Sequence, residues 1–221
     1  MKRKKAVVLL SGGLDSATTL FIAQSKGYQT HGLVFDYGQR HRKEIRQAGL
    51  IARRTNTKFK LVHISLPWRG SALLDKSLPL PKNRNIIPKK IPSTYVPARN
   101  IIFLSFAASF AEAIGAEAIF IGANAVDYSG YPDCRPAFYA AYRRVLKTGM
   151  KAGVEGKAIK VFTPLLRKTK SQIIRTGLKL GVPYNLTWSC YKGGARPCGV
   201  CDSCVLRQRG FDEAGAEDPL L

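Results

Sequence analysis

The run "AVVLL" at residues 6–10 is apolar at every position, and it stops at "SGGLDS" (11–16). A strand with no polar side has no face to offer water, so it needs cover above and below. Four more segments read as strands: "THGLVFDY" (30–37), "FKLVHISL" (59–66), "AEAIFIGA" (116–123) and "KAIKVFTPL" (157–165). Between them stand segments with helical spacing. These are "SATTLFIAQSKG", closed by Gly27; residues 41–55; "NIIFLSFAASFAEAIG" (100–115); "RPAFYAAYRRVLKTG"; and "SQIIRTGLKLG". The third is the most apolar and is expected to be buried. The alternation predicts an α/β fold, doubly wound, with a mostly parallel five-stranded sheet and right-handed crossovers. Residues 66–97 hold six prolines and no period, which reads as a long loop. Near residue 187 the alternation gives way to Cys, Gly and Trp. We therefore expect an α/β domain over 1–186 and a small C-terminal metal-binding region, 187–221, packed on it.

"SGGLDS" sits where a strand hands over to a helix. It is neither the dinucleotide glycine pattern nor the Walker pattern, which needs Lys and Ser/Thr after its second glycine group. Its physics is still that of an anion site. Glycines allow close approach, and the free N–H groups and dipole of the next helix favour negative charge. Ser11 and Ser16 add hydroxyl donors. Asp15 is suited to capping the helix or to holding a Mg²⁺ that phosphates share. A plain strand-to-helix turn would use the same residues.

Four of the five cysteines cluster in "SCYKGGARPCGVCDSC". Cys190, Cys198, Cys201 and Cys204 follow C-x7-C-x2-C-x2-C. Reduced thiols at this spacing suit a closed, structural Zn²⁺ site, with an iron–sulfur cluster as the rival. Cys134 stands apart and reads as a small buried residue.

Two further clusters can do chemistry. Arg99 and Asn100 open the apolar helix, where Arg could grip a phosphate or cap the turn. "GANAVDYSGYPDCRPAF" (122–138) lies at the carboxyl end of a strand, where open α/β sheets bind ligands. It carries Asp127, Tyr131 and Asp133, suited to the donor edge and flat face of a guanine-like ring. Tyr128 and Trp188 are further stacking candidates. Lys168 and Lys170 follow the fifth strand, and either could neutralise charge developing on a phosphate. His41, in "FDYGQRH", reads first as a structural residue.

The chain carries 36 Lys+Arg against 14 Asp+Glu, a formal charge of +22. That field would attract nucleic acid, but the basic residues are dispersed rather than gathered in a stripe, and small anionic ligands profit equally. No apolar stretch reaches the length of a membrane span, and "AVVLL" is too short for a secretory h-region. A cytoplasmic protein is expected.

"SGGLDS" after a buried strand resembles the pyrophosphate loop of the ATP pyrophosphatase (PP-loop) superfamily, whose fold is adenine nucleotide alpha hydrolase-like. The resemblance implies ATP binding over Leu9, Leu10, Ser11, Gly12, Gly13, Leu14, Asp15, Ser16, Ala17 and Thr18, and transfer of AMP to an oxygen. The blocks "LLSGGLDSAT", "FDYGQRH", "VPARNIIFLSFAASFAEAIGA", "DYSGYPDCRPAF" and "TWSCYKGGARPCGVCDSCVLRQRGFDEAG" together resemble the 7-cyano-7-deazaguanine synthase family over nearly the whole chain. That likeness implies adenylation of 7-carboxy-7-deazaguanine by ATP with Mg²⁺, amide formation with ammonium, and a second adenylation that yields the nitrile. It further implies one structural zinc and a homodimer. The resemblance makes Asp15, Arg99, Lys168 and Lys170 the catalytic candidates and Asp127, Tyr131 and Asp133 the substrate-binding ones. A PP-loop thiolase or lysidine-type ligase acting on tRNA and a non-catalytic zinc ribbon are the rivals. The ribbon leaves "SGGLDS" without a task.

Overall fold

The computed structural model describes residues 3–68, 70–81, 91–126 and 130–221. Five strands form one sheet: β1 (Lys5–Leu9), β2 (Gln29–Asp36), β3 (Lys58–His63), β4 (Ala118–Phe120) and β5 (Lys160–Phe162). Their order is β3-β2-β1-β4-β5, and every pairing is parallel. The helices are α1 (Leu14–Ser25), α2 (Lys43–Arg54), α3 (Arg99–Ile114), α4 (Pro136–Gly149), α5 (Lys151–Val154), α6 (Lys170–Lys179) and α7 (Asp202–Ala214).

β1 shows why the sheet is wound on both sides. Ala6 and Val8 enter a core with Leu20, Ile51, Ile173 and Phe211, from α1, α2, α6 and α7. Val7 and Leu9 enter the opposite core, with Leu104 and Ala107 of α3 and Tyr139 of α4. The all-apolar run is thus spent on two layers. β1 and β4 lie side by side, and the chain winds away from them in opposite directions. Their carboxyl ends form the switch point where such sheets bind ligands.

Two expectations change. α3 buries only one face, through Leu104, Ala107, Ala108 and Ala111, while Ile101 and Phe106 remain 45% and 42% exposed. The sheet covers one side of the helix, and nothing in the described chain covers the other. β5 spans only Lys160–Phe162 of the expected 157–165, and β4 ends at Phe120 rather than running to residue 123. Gly122 passes the first turn of α1 so closely that a Cβ there would lie 3.0 Å from the carbonyl of Asp15. The ladder gives way to that crossing.

The proline-rich loop is fastened where it is described. The Arg40 N–H donates to the Leu73 carbonyl at 3.1 Å, its guanidinium donates to the Asp75 carbonyl at 2.8 Å and also reaches that of Leu78, and the Ala72 N–H bonds the Ser93 carbonyl at 2.8 Å.

Candidate active site

A cleft of ≈ 280 Å³ opens at the switch point. One end is apolar, formed by Leu9, Leu33, Phe35, Phe103 and Ile121; the other is the "SGGLDS" loop. Phe35 and Phe103 are stacked with centroids 4.0 Å apart. Ser16 Oγ ties the loop together. It accepts from the Ser11 N–H at 3.2 Å and donates to the Gly13 carbonyl at 3.0 Å, with Ser11 Oγ 3.1 Å away. Gly12 has φ +84, and a Cβ on it would lie 2.1 Å from the Glu44 carbonyl oxygen. Only glycine satisfies both constraints. Gly13 is the N-cap of α1 and makes no side-chain cap. The first N–H groups of α1 therefore remain available to an anion.

Lys170, the first residue of α6, reaches across to Asp15. Its Nζ lies 2.8 Å from both carboxylate oxygens. The pair is largely buried, with side-chain exposures of 10% and 22%. Gly210 of α7 makes room for it, since a Cβ there would sit 2.3 Å from Lys170 Cγ.

The opposite wall comes from α2 and α3. Arg99 Nη1 lies 3.5 Å from Tyr37 Oη. Burial works against the Arg99 charge, but Tyr37, Tyr131 and Asp133 hold the guanidinium above its ordinary range. Glu44 faces the same space. Burial pushes its carboxyl up to about 7, against the pull of Arg99. Cys134 also lines the cleft, and burial, followed by the Asp133 charge, pushes its thiol up to about 12.

The candidates divide as follows. Asp15, Arg99, Lys170 and Tyr131 line the cleft, as do Leu9, Leu10, Ser11, Gly13, Leu14 and Ser16. Tyr131 turns its hydroxyl to Thr94 Oγ1 at 2.5 Å. Gly12 faces away, accepting from the Trp188 N–H at 2.9 Å, and Ala17 and Thr18 are fully buried in α1. Lys168 is not on the cleft wall. Its carbonyl accepts from Asn124 Nδ2 at 2.6 Å, which fastens the β5 loop to the β4 loop. Asp133 lies beneath the wall. Its Oδ2 accepts the Asn100 N–H at 3.1 Å and so caps α3 beside Arg99. Asp127, Tyr128 and Ser129 fall outside the described residues. Trp188 lines the cleft, with Lys43 Nζ over its ring at 3.3 Å from the centroid.

Sequence reasoning missed Glu44, Lys43 and Arg207. "RHRKE" follows β2 directly, so its place at a carboxyl strand end was available as a signal. Arg207 had none. It is buried in α7 and grips Asp218 in bidentate fashion at 2.6 and 2.8 Å, with Nη1 on Thr187 Oγ1 at 2.7 Å. That grip locks the last residues against the stretch leading to Trp188.

The Sγ atoms of Cys190, Cys198, Cys201 and Cys204 lie within 4.8 Å of one another. Four ligands at ~2.3 Å around a tetrahedral ion would sit ~3.8 Å apart, so a small contraction suffices. Cys198 and Cys204 are already at 4.0 Å. The Lys192 and Cys198 N–H groups both point at Cys190 Sγ at 3.4 Å, as donors to a thiolate would. Trp188 links this cluster to the "SGGLDS" loop, donating its indole N–H to the Cys190 carbonyl at 3.0 Å and its backbone N–H to the Gly12 carbonyl at 2.9 Å. The donor set fits a thiophilic metal.

Residues 5–215 match the protein family described as queuosine biosynthesis protein QueC. A 7-cyano-7-deazaguanine synthase from Thermoplasma acidophilum is 55% identical over 221 residues, which is 100% of this chain and 92% of that protein. One from Trichormus variabilis is 52% identical over 98% of this chain and 97% of its own. Among solved structures, NMN synthetase from Francisella tularensis superposes with a TM-score of 0.52 at 17% identity, covering 97% of this chain and 79% of its own. Likeness at that level is one of fold. A match across almost the whole length, with relatives above half identity, settles the assignment: this chain belongs to the QueC family, whose curated relatives are 7-cyano-7-deazaguanine synthases.

Proposed function

We propose that the cleft binds ATP and 7-carboxy-7-deazaguanine together and converts the acid, with ammonia, into 7-cyano-7-deazaguanine. One observation carries the mechanism. The uncapped start of α1, the Asp15–Lys170 pair and Arg99 face one cleft whose far end is apolar. In the proposed order the substrate carboxylate attacks the α-phosphorus of ATP, and pyrophosphate departs into the Ser11–Ser16 loop. The α1 N–H groups and Lys170 stabilise charge on the phosphates as the bond breaks. Arg99 orients the acid, and Asp133 steadies Arg99 by capping α3. Ammonia displaces AMP, and a second ATP activates the amide oxygen, so that a second loss of AMP leaves the nitrile. The enzyme's part is positioning and charge stabilisation. Asp15 is the loop's carboxylate for a Mg²⁺ arriving with the phosphates, which would screen their charge.

The four cysteines, in this reading, hold one structural Zn²⁺ and take no part in the chemistry. Residues 1–186 act as the ATP-binding domain, and 187–221 as a zinc-held flap packed on it. We further propose a homodimer working in the cytoplasm. Among the described residues no helix is long and apolar enough to cross a membrane.

The +22 charge favours a second reading, a PP-loop enzyme acting on tRNA. A thiolase would need a reactive thiol at the phosphate loop. Cys134 is the cysteine beside that loop, and its raised thiol is a poor nucleophile at neutral pH. The experiment is direct. Supply ATP, Mg²⁺, ammonium and 7-carboxy-7-deazaguanine, and follow AMP and product mass. Two AMP per nitrile is the expected result. AMP released with tRNA and not with the acid would reverse the choice.

A further inference from the structure

The proposed chemistry creates a demand that Asp15, Lys170 and Arg99 do not meet. Ammonia is present at neutral pH as ammonium, which has no lone pair to attack with. It must lose one proton before its nitrogen adds to the acyl carbon and another as the carbon–oxygen bond breaks and AMP leaves with that electron pair. If ammonium is the form bound, a proton acceptor stands in the cleft.

Among the described residues, two carboxylates line the cleft, Asp15 and Glu44. Asp15 has both oxygens on Lys170 Nζ. The carboxylate of Glu44 takes no hydrogen bond and no ion pair from any described residue. Its backbone is nevertheless fixed, because its carbonyl sits directly over Gly12, where even a methyl group would collide. A helix start seated on the phosphate loop thus carries an uncommitted acid into the space where the acyl phosphate would form. Arg99 from α3 and Tyr37 from the end of β2 face it, Asp15 and Lys170 stand across the cleft, and Tyr191 and Arg207 enter from the cysteine-rich segment. His41, on its own approach, is packed under Gly193.

We propose that Glu44 is a catalytic residue that binds the ammonium ion beside the acyl adenylate and accepts its proton. The inference rests on the reaction proposed above. A carboxylate attracts the ammonium cation; once it has taken the proton, neutral ammonia is left at the reacting carbon. That proton passes to solvent through the cleft mouth, and the carboxylate so restored accepts the second proton as AMP leaves. Burial holds the group near 7, where a general base works best at neutral pH, whereas an ordinary carboxylate would be too weak. Adenylation itself needs no base, because the substrate acid is already ionised. The two half-reactions are therefore separable.

The test is Glu44→Gln in the full-length protein, with three readouts. ATP–pyrophosphate exchange dependent on the acid should persist within about threefold, while amide formation from ammonium at pH 7.5 falls ~10²–10³-fold. Hydroxylamine, already neutral at that pH, should form the hydroxamate at close to the wild-type rate. Exchange that falls as far as amide formation would assign Glu44 to ATP or metal binding and overturn the proposal. So would failure of hydroxylamine to rescue. A measurement on the unaltered protein guards against a variant that does not fold. With Glu44 as base, kcat/KM for total ammonium levels off above its titration near 7. If free ammonia were taken from solution, it would keep climbing about tenfold per pH unit through pH 8, and the proposal would fall. Absence of acid-dependent exchange in the unaltered protein would instead overturn the reaction assigned to the cleft.

Discussion

Two glycine-rich loops meet at a single hydrogen bond, from the Trp188 N–H to the Gly12 carbonyl, yet they are held by different means. The phosphate loop is clamped by the fold. β1 enters it, with the Leu10 N–H on the Leu33 carbonyl at 2.9 Å; α1 leaves it, Ser16 ties it internally, and Glu44 presses on it from above. The loop from Cys190 to Cys201 has neither helix nor regular strand within it. Four sulfurs, Lys43 and Trp188 give it shape. One loop is determined by backbone geometry, the other by a donor set that fits a cation.

Loss of the proposed metal should have the largest effect. Structural zinc in small sites contributes ~10 kcal/mol or more to folding. Treatment with a strong chelator, or Cys198→Ser, is expected to open residues 190–201 to protease while the far-UV signal of the sheet and helices persists. Exchange activity should fall more than ~100-fold, because Trp188 then no longer holds Gly12. If activity survives chelation, the loops are independent.

Gly12→Ala attacks the other loop, where the backbone conformation and the Glu44 carbonyl both forbid a side chain. A loss of ~4 kcal/mol or more in denaturant midpoint analysis is expected, in the range that marks a backbone clash. Gly194→Ala is the control on the cysteine side. Its Cβ would meet Arg196 O at 3.5 Å, an ordinary contact, and should cost less than ~0.5 kcal/mol. Equal costs would mean that both loops are equally crowded.

Lys170→Met comes next. It keeps the packing against Gly210 and α1 but removes the charge beside Asp15. Exchange should fall ~10²-fold, as when one preorganised group facing a transition state is lost. Lys168→Met, which removes a side chain off the cleft wall, should change it less than about twofold. The opposite ranking would show that the β5 loop rearranges when ATP binds.

How far the sequence foretold this arrangement depends on how local each signal is. β1, β2 and the phosphate loop were legible because apolar runs and glycines act on their own neighbours. The cysteine cluster was legible because its ligands lie within 15 residues. Thr169 and Gln172 form a capping box at the start of α6, a purely local device. Arg207 was not legible, and Glu44 was legible only in its place after β2. Their roles come from which carbonyl lies over Gly12 and which carboxylate reaches α7, both consequences of tertiary packing. Lys168 and Lys170 are two residues apart and equivalent in sequence. The helix beginning at Lys170 turns one into the cleft and leaves the other on the approach.

The mildest change should separate the loops most cleanly. Lys43 Nζ lies over the Trp188 ring and donates to the Gly194 and Ala195 carbonyls at 2.9 and 2.7 Å. It thereby joins the start of α2 to the middle of the cysteine loop. These bonds are solvent-exposed, so Lys43→Met should lose only ~1 kcal/mol, the sum of a weak cation–π contact and screened hydrogen bonds. Methionine keeps the apolar stem against Trp188. If Lys43 braces the cysteine loop alone, the variant should release metal to a chelator about fivefold faster at unchanged exchange activity, ~1 kcal/mol being worth that factor. A parallel fall in exchange before any metal is lost would mean that α2 transmits the shape of one loop to the other, and that the two are one mechanical unit.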